Sequence, residues 1–297
     1  MKKSFVEDRN KLARQASLLH LSALSLAEGM RNGSFKSLYR GQGIELNGVR
    51  DYIRGDDVRA IDWNVTARMS KTYVKVFEEE REMDVFLIVD QSFSMHTGFE
   101  GKSRYETAME CASLITLAAC QNSNPVGAVL FDGGISFSCA PKSGQNHALY
   151  LLSKFDSLPQ NQKNGSALDN ALQGVQKLLK KRSLILVISD FRTEAWYEPL
   201  GQLANKHDLV CVKVTDPVDD ELPDTGAIPF TDMETSYSCV LPTSSVQFRK
   251  AWREANKTRN ENWKSECRRR GAWPLSIHTD RDIGEELTRF FEARVRQ

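Results

Sequence analysis

The stretch that decides the fold is VFLIVDQSFSM, Val85 to Met95. Its first five residues are all apolar. That is the length of a strand buried on both faces and far short of the roughly 20 residues that span a bilayer. The run ends in Asp90, and Ser92 and Ser94 follow at alternate positions. One carboxylate and two hydroxyls thus leave the end of a buried strand together, spaced so that all can turn toward one point.

Working outward, the pattern from Met83 alternates strand and helix. MDVFLIVD reads as a strand, RYETAMECASLITLAACQN as a helix, and VGAVLF and ISFSCA as a hairpin around Asp132-Gly133-Gly134. NHALYLLSKFDSL and SALDNALQGVQKLLKKR read as helices, SLILVISD as a strand, AWYEPLGQLANKH as a helix and DLVCVKVTD as a strand. PVDDELPDTGAIPF reads as a loop leading to a small hairpin near 227–242 through SYSCVLP. A long polar helix follows from about Ser244 to Arg270, then a last strand in PLSIHTD and a terminal helix in IGEELTRFFEARV. Continuous apolar strands separated by helices predict an α/β fold: a doubly wound, mostly parallel sheet with helices on both faces, over residues 83–297.

Residues 1–82 carry a weakly amphipathic helical pattern, then GIELNGVRDYIRGDDVRAIDWNVTARMSKTYVKVFEEERE. The short strand-like pieces and the Gly-Asp-Asp turn predict a β-rich appendage packed on the α/β unit, with Trp63 as its anchor in the core. Arg50, Asp51, Arg54, Asp56, Asp57, Arg59, Asp62 and Arg68 read as ion pairs fixing that appendage, and Glu78 to Glu82 as a solvated connector.

Bulk composition narrows the function classes. With 40% hydrophobic and 27% charged residues and a net charge of +1, no global field favours nucleic acid or a membrane surface. Charges interrupt the N-terminal pattern too early for a secretory segment, and no apolar run is long enough to span a bilayer, so the sequence reads as cytoplasmic. The six cysteines have no C-x-x-C pair, which argues against zinc and a disulfide framework and for small buried apolar residues. There is no G-x-x-x-x-G-K-[ST] loop, and no histidine adjoins a candidate nucleophile.

The candidate site follows from the fold. In doubly wound sheets ligands bind outside the carboxyl ends of the strands where strand order reverses. If the order is 3-2-1-4-5-6, the strands ending at Asp90 and Asp190 are neighbours there, and Ser166, opening the preceding helix, joins them. Two carboxylates drawn together out of water repel and need a cation or a proton between them. An oxygen-only set suits Mg²⁺ or Mn²⁺. The plainer reading of each residue stays beside this one: Asp90 with its serines as a turn after a strand, Ser166 as a helix N-cap, with Asp169 as another cap or ligand, and Asp190 as the cap of the next turn.

DQSFSM matches the D-x-S-x-S motif of the metal-ion-dependent adhesion site in von Willebrand factor A-like domains. Together with RDYIRGDDVRAIDWNVTAR, YVKVFEEERE, VDQSFSM and ISDF, in that order over about Gly41 to Phe191, the chain resembles a bacterial family of such domains, the domain-of-unknown-function family numbered fifty-eight. Its members are commonly encoded beside MoxR-type AAA+ ATPases. The resemblance implies a von Willebrand factor A-like fold, with Asp90, Ser92, Ser94, Ser166 and Asp190 as ligands of Mg²⁺ (or Mn²⁺). It also implies a non-catalytic adaptor that binds an acidic residue of a protein partner, working with a MoxR-type ATPase and a client protein. Ser166 departs from the threonine usual at its position, keeping the oxygen and losing the methyl that fixes its rotamer.

Two other function classes compete. In a Mg²⁺-dependent phosphoryl-transfer enzyme Asp90 would be the nucleophile, but the position two residues on, usually an acid/base aspartate, is Ser92. Nucleic-acid binding through the late basic helix lacks an aromatic and basic platform.

Overall fold

The computed structural model describes residues 45–54, 56–69, 71–78, 83–98, 101–157, 165–193, 196–231 and 238–295. The N-terminal helical pattern and Glu79 to Glu82 lie outside them.

In the upstream unit, strand β1 (Glu45–Asp51) pairs antiparallel with β2 (Tyr73–Glu78), with a register shift between Leu46 and Gly48. The intervening segment holds a helix that its strand-like reading did not foresee, α1 (Trp63–Met69). Asp62 starts it: its Oδ1 accepts the main-chain N–H groups of Asn64 and Val65 at 3.0 and 3.2 Å. Trp63 is therefore the first helical residue, 66% exposed, and does not anchor the unit; Ile61 and Val74 are its buried apolar pair and bridge to one another. The expected ion pairing is present at Arg50, whose guanidinium forks onto Asp56 at 2.7 and 2.8 Å.

The larger unit begins with β3 (Asp84–Asp90) and continues through α2 (Arg104–Gln121), β4 (Val126–Phe131), β5 (Ile135–Lys142), α3 (Gln145–Phe155), α4 (Leu168–Leu178), β6 (Ser183–Ser189), α5 (Tyr197–Ala204) and β7 (Asp208–Thr215). Pro217–Asp220, read as loop, is a short helix, α6, because Pro217 takes its first position and Asp216 caps it. The hairpin β8 (Ala227–Thr231) and β9 (Ser238–Pro242) follows, then α7 (Val246–Arg269), β10 (Trp273–His278) and α8 (Ile283–Val295).

Sheet order is β10-β7-β6-β3-β4-β5, parallel throughout except for β5, which returns from β4 as a hairpin. Period-2 alternation sorts the side chains. Val85, Leu87 and Val89 of β3 pack with Ala112 and Ile115 of α2 and Leu287 and Phe291 of α8. Phe86 and Ile88 face the other way, among Leu172 of α4, Leu200 of α5 and Trp263 and Cys267 of α7. Both faces are covered, which is why the strands read as unbroken apolar runs. All six cysteines are free, with Cys111, Cys211 and Cys267 buried. Among the described residues no helix is long and apolar enough to cross a membrane.

Candidate metal site

The strand order puts β3 between β4 and β6, so the switch point lies at the carboxyl ends of β3 and β6. Val89 pairs with Ile188, which leaves Asp90 and Ser189 side by side as the strands end. Both continue the parity of Phe86, Ile88 and Val187 and turn to the same face. The Ser189 hydroxyl donates to Asp90 Oδ2 at 2.7 Å and accepts the main-chain N–H of Phe191 at 3.0 Å.

After Asp90 the chain enters a 3-10 turn, Phe93–His96. The Ser92 N–H donates to Asp90 Oδ1 at 2.9 Å, so the carboxylate itself folds the loop back over the strand end. This turn leaves the Ser92 and Ser94 hydroxyls 3.1 Å apart. Asp90 and Ser92 are almost wholly buried, while Ser94 is half-buried.

Ser166 arrives from a third segment. Ala167 N–H donates to the Asp132 carbonyl at 2.6 Å, tying the loop before α4 to the β4–β5 turn. Ser166 Oγ then stands 3.5 Å from Asp90 Oδ2, at the outer limit of a hydrogen bond. It is not the N-cap of α4; Ala167 holds that position without a side-chain cap. Ser166 is thus free of the role that most competed with ligation.

Asp190 follows Ser189 at the same edge and is 5% exposed. Its Oδ1 accepts the Arg192 main-chain N–H at 3.2 Å. Its Oδ2 is buried without a hydrogen bond among the described residues, and the Arg192 Nε stands 3.4 Å away. The turn is held by an unusual backbone: Phe191, with φ of 52°, adopts the left-handed conformation while its ring packs against Trp196 and Trp263. Strain of this kind in a non-glycine residue persists only where the surroundings fix it, and it concentrates at functional sites.

Burial, and after it the Asp190 charge, pushes the Asp90 carboxyl up to about 7, against the hydrogen bonds from Ser189 and Ser92 that favour its ionised form. Two carboxylates and three hydroxyls thus lie at one edge, with one Asp190 oxygen short of a donor and the Asp90 carboxyl pushed up. That is the electrostatic condition a hard divalent cation relieves, and the donors present suit Mg²⁺ or Mn²⁺.

Of the five residues expected from sequence, Asp90 is in hydrogen-bond reach of the Ser92 N–H and of Ser166, Ser94 reaches Ser92, and Asp190 lies one residue beyond Ser189 with Arg192 as its contact. Three others that matter were not singled out. Ser189 makes the shortest side-chain hydrogen bond to Asp90, and its only sequence signal is its place before Asp190 at a strand end. Asp132 positions the Ser166 loop from a turn that reads as a simple hairpin. Arg192 pairs with Asp190 and, at 3.0 Å, with Asp219 of α6; Asp219 in turn meets the buried Arg104 of α2 at 2.7 Å.

The reversal of strand order, the single antiparallel edge strand and the Asp-x-Ser-x-Ser loop at the switch point define a von Willebrand factor A-like domain. The chain belongs to the family described as Protein of unknown function DUF58, whose model matches residues 48–262. Uncharacterized protein Rv1480 of Mycobacterium tuberculosis is 30% identical over 293 residues, covering 97% of this chain and 92% of that one. Uncharacterized protein Mb1516 of Mycobacterium bovis matches with the same identity and coverage. Among solved structures, an aerotolerance-related membrane protein from Bacteroides fragilis, crystallised with multiple mutations to serines, superposes with a TM-score of 0.51. Its identity is 17%, with 72% of this chain and 98% of that one covered, a likeness that shows the fold alone.

Proposed function

We propose that the chain is a non-catalytic, protein-binding adaptor whose recognition element is a divalent cation held by Asp90, Ser92, Ser94, Ser166 and Asp190. A single observation carries this reading: Asp90 and Asp190 are buried at one sheet edge, and the hydroxyls around them come from three separate segments. When bound, Mg²⁺ or Mn²⁺ supplies a hard positive centre that takes a carboxylate from an acidic residue of the partner. Ser189 and the Ser92 N–H keep Asp90 oriented, and the Asp132 carbonyl keeps the Ser166 loop in reach. We further propose a cytoplasmic partner of the MoxR-type AAA+ ATPase class, acting with a client protein; this rests on the family resemblance.

Nothing in the arrangement favours Asp90 as a phosphoryl acceptor. Its Oδ2 is engaged by Ser189, and its neighbour two residues on is a buried serine.

Calorimetric titration of Mg²⁺ and Mn²⁺ into EDTA-stripped protein tests the reading. Saturable binding is expected, lost in Asp90→Ala and Ser94→Ala with the circular-dichroism spectrum unchanged, together with loss of association with the ATPase. Association that survives both substitutions and EDTA rules out the metal bridge, and phosphatase turnover on the same samples returns the enzyme reading.

A further inference from the structure

The polar row that begins at Asp90 does not stop at Ser189. Ser189 pairs with Lys213 on β7, and Lys213 with Ser276 on β10, so Asp90, Ser189, Lys213 and Ser276 lie side by side across four strands at the same level. Lys213 shares the face of Leu209 and Cys211, the face covered by α7. Two strand spacings of about 4.8 Å separate it from Asp90, roughly 10 Å along the sheet edge.

Lys213 has no counterpart of its own. Among the described residues its ammonium makes no hydrogen bond or ion pair, and it stands over the Trp263 ring, 5.4 Å from the centroid. The charges that face it are Asp219 and Asp190 on one side and Arg192 and Arg259 on the other. Both carboxylates face arginines as well: Arg192 Nε stands 3.4 Å from Asp190, and Arg192 and Arg104 donate to Asp219. Lys213 and the exposed Arg259 are the cations of this group left without an ion pair among the described residues.

The facing wall also holds unmet polar atoms. Asn256, Asn260 and Trp263 recur on one face of α7, and each leaves a buried polar atom without a partner among the described residues: Asn256 Nδ2, Asn260 Oδ1 and Trp263 Nε1. Trp263 is only 5% exposed, so its unmet N–H is costly, and Ser276 Oγ, next in the row, is unmet as well. A half-buried ammonium with no ion pair of its own, with the unmet N–H groups of Asn256 and Trp263 on the facing helix and the proposed carboxylate-taking metal position along the same edge, points to a second anion.

We propose that Lys213, with Arg259 and the α7 wall, is a second carboxylate subsite, and that the partner presents two acidic residues in one extended segment, one to the metal position and one to Lys213. The inference rests on the metal-site reading for its first contact. An extended chain advances about 3.3 Å per residue, so the 10 Å separation calls for acidic residues two or three positions apart. Two-point attachment raises affinity because the second contact forms intramolecularly.

The test is fluorescence anisotropy of the Mg²⁺-loaded full chain with two labelled Gly-Ser peptides, one carrying a single aspartate and the other an aspartate and a glutamate three residues apart. The two-acid peptide is expected to bind about tenfold more tightly. Lys213→Met, which keeps the apolar stem, brings it down to the single-acid level, Lys213→Arg retains most of the advantage and Arg259→Gln loses part of it. Mg²⁺ titration stays unchanged in Lys213→Arg, which keeps the charge that faces Asp190. A wild-type protein that does not distinguish the peptides, or binds neither, overturns the subsite, as does an advantage that survives Lys213→Met. If calorimetry finds no Mg²⁺ binding but the two-acid peptide still binds and Lys213→Met abolishes it, the subsite stands and the metal reading falls.

Discussion

Asp90 is held by opposing forces, and they fix what its substitution does. Burial and Asp190 favour its protonated form, while Ser189 and Ser92 favour the carboxylate. In Asp90→Asn the repulsion disappears with little change of shape. The metal-free variant is therefore expected to melt above the metal-free wild type, and to lose the rise in melting temperature that Mg²⁺ gives the wild type, both read by calorimetric scanning. The pH dependence has a definite sign. A carboxyl whose folded pKa is raised contributes most favourably below the ordinary carboxylate range, and that contribution is lost as pH rises toward 7. Metal-free stability from this group thus declines over pH 4 to 7, whereas Mg²⁺ affinity climbs over the same window, since ligation needs the ionised form and releases a proton. Calorimetric titrations in buffers of different ionisation enthalpy measure that proton. Ser189→Ala removes both the donor to Asp90 and the acceptor for Phe191, and Mg²⁺ affinity is expected to fall about tenfold with the ligands themselves intact.

Within the elements, Gly127 of β4 sits where no side chain fits. A Cβ added at Gly127 would meet the Phe86 ring at 2.7 Å and the Cys139 carbonyl at 2.8 Å, wedged between β3 and the β5 hairpin. Neither neighbour can yield: one is a fully buried ring and the other is main chain. Gly127→Ala is expected to cost roughly 1–3 kcal/mol in chemical denaturation, with Mg²⁺ affinity in the folded fraction unchanged. The glycine reads as an ordinary member of the apolar run VGAVLF. Its necessity belongs to the pairing of three strands and has no local signature.

Across the whole molecule, Asp219 ties the candidate-site loops to the rest of the fold. It accepts from Arg104 at the start of α2 and from Arg192 beyond β6, residues separated from it by 115 and 27 positions. Burial pushes its carboxyl up, and the two arginines outweigh that and hold it below its ordinary value. This pair contributes stability above the carboxylate range and loses it on acidification, the opposite sense to Asp90. Asp219→Ala leaves Arg104 buried with its partner gone and is expected to cost roughly 2–4 kcal/mol by denaturant titration. It also frees Arg192 to stay on Asp190, so Mg²⁺ affinity falls too. Asp219→Asn, which keeps the hydrogen-bond acceptor, separates the two effects: stability largely returns and the affinity loss persists.

The sequence by itself determined the alternation of buried strands and helices, the β4–β5 hairpin, the bounds of α8 and the placing of Asp90 and Asp190 at the ends of neighbouring strands. These are written in local periodicity and in polar residues at the ends of apolar runs, both of which survive without knowledge of neighbours. It misplaced Trp63, because an aromatic in a short unit looks like an anchor until Asp62 is seen to start a helix with it facing out. It also passed over Ser189, Asp132, Arg192 and Lys213. Each is an unremarkable polar residue until register sets Ser189 against Asp90 and Lys213 against Ser189, and until a carbonyl in one turn meets an amide in another. Only tertiary structure decides such roles, since strand order and register bring together residues that the chain keeps tens of positions apart.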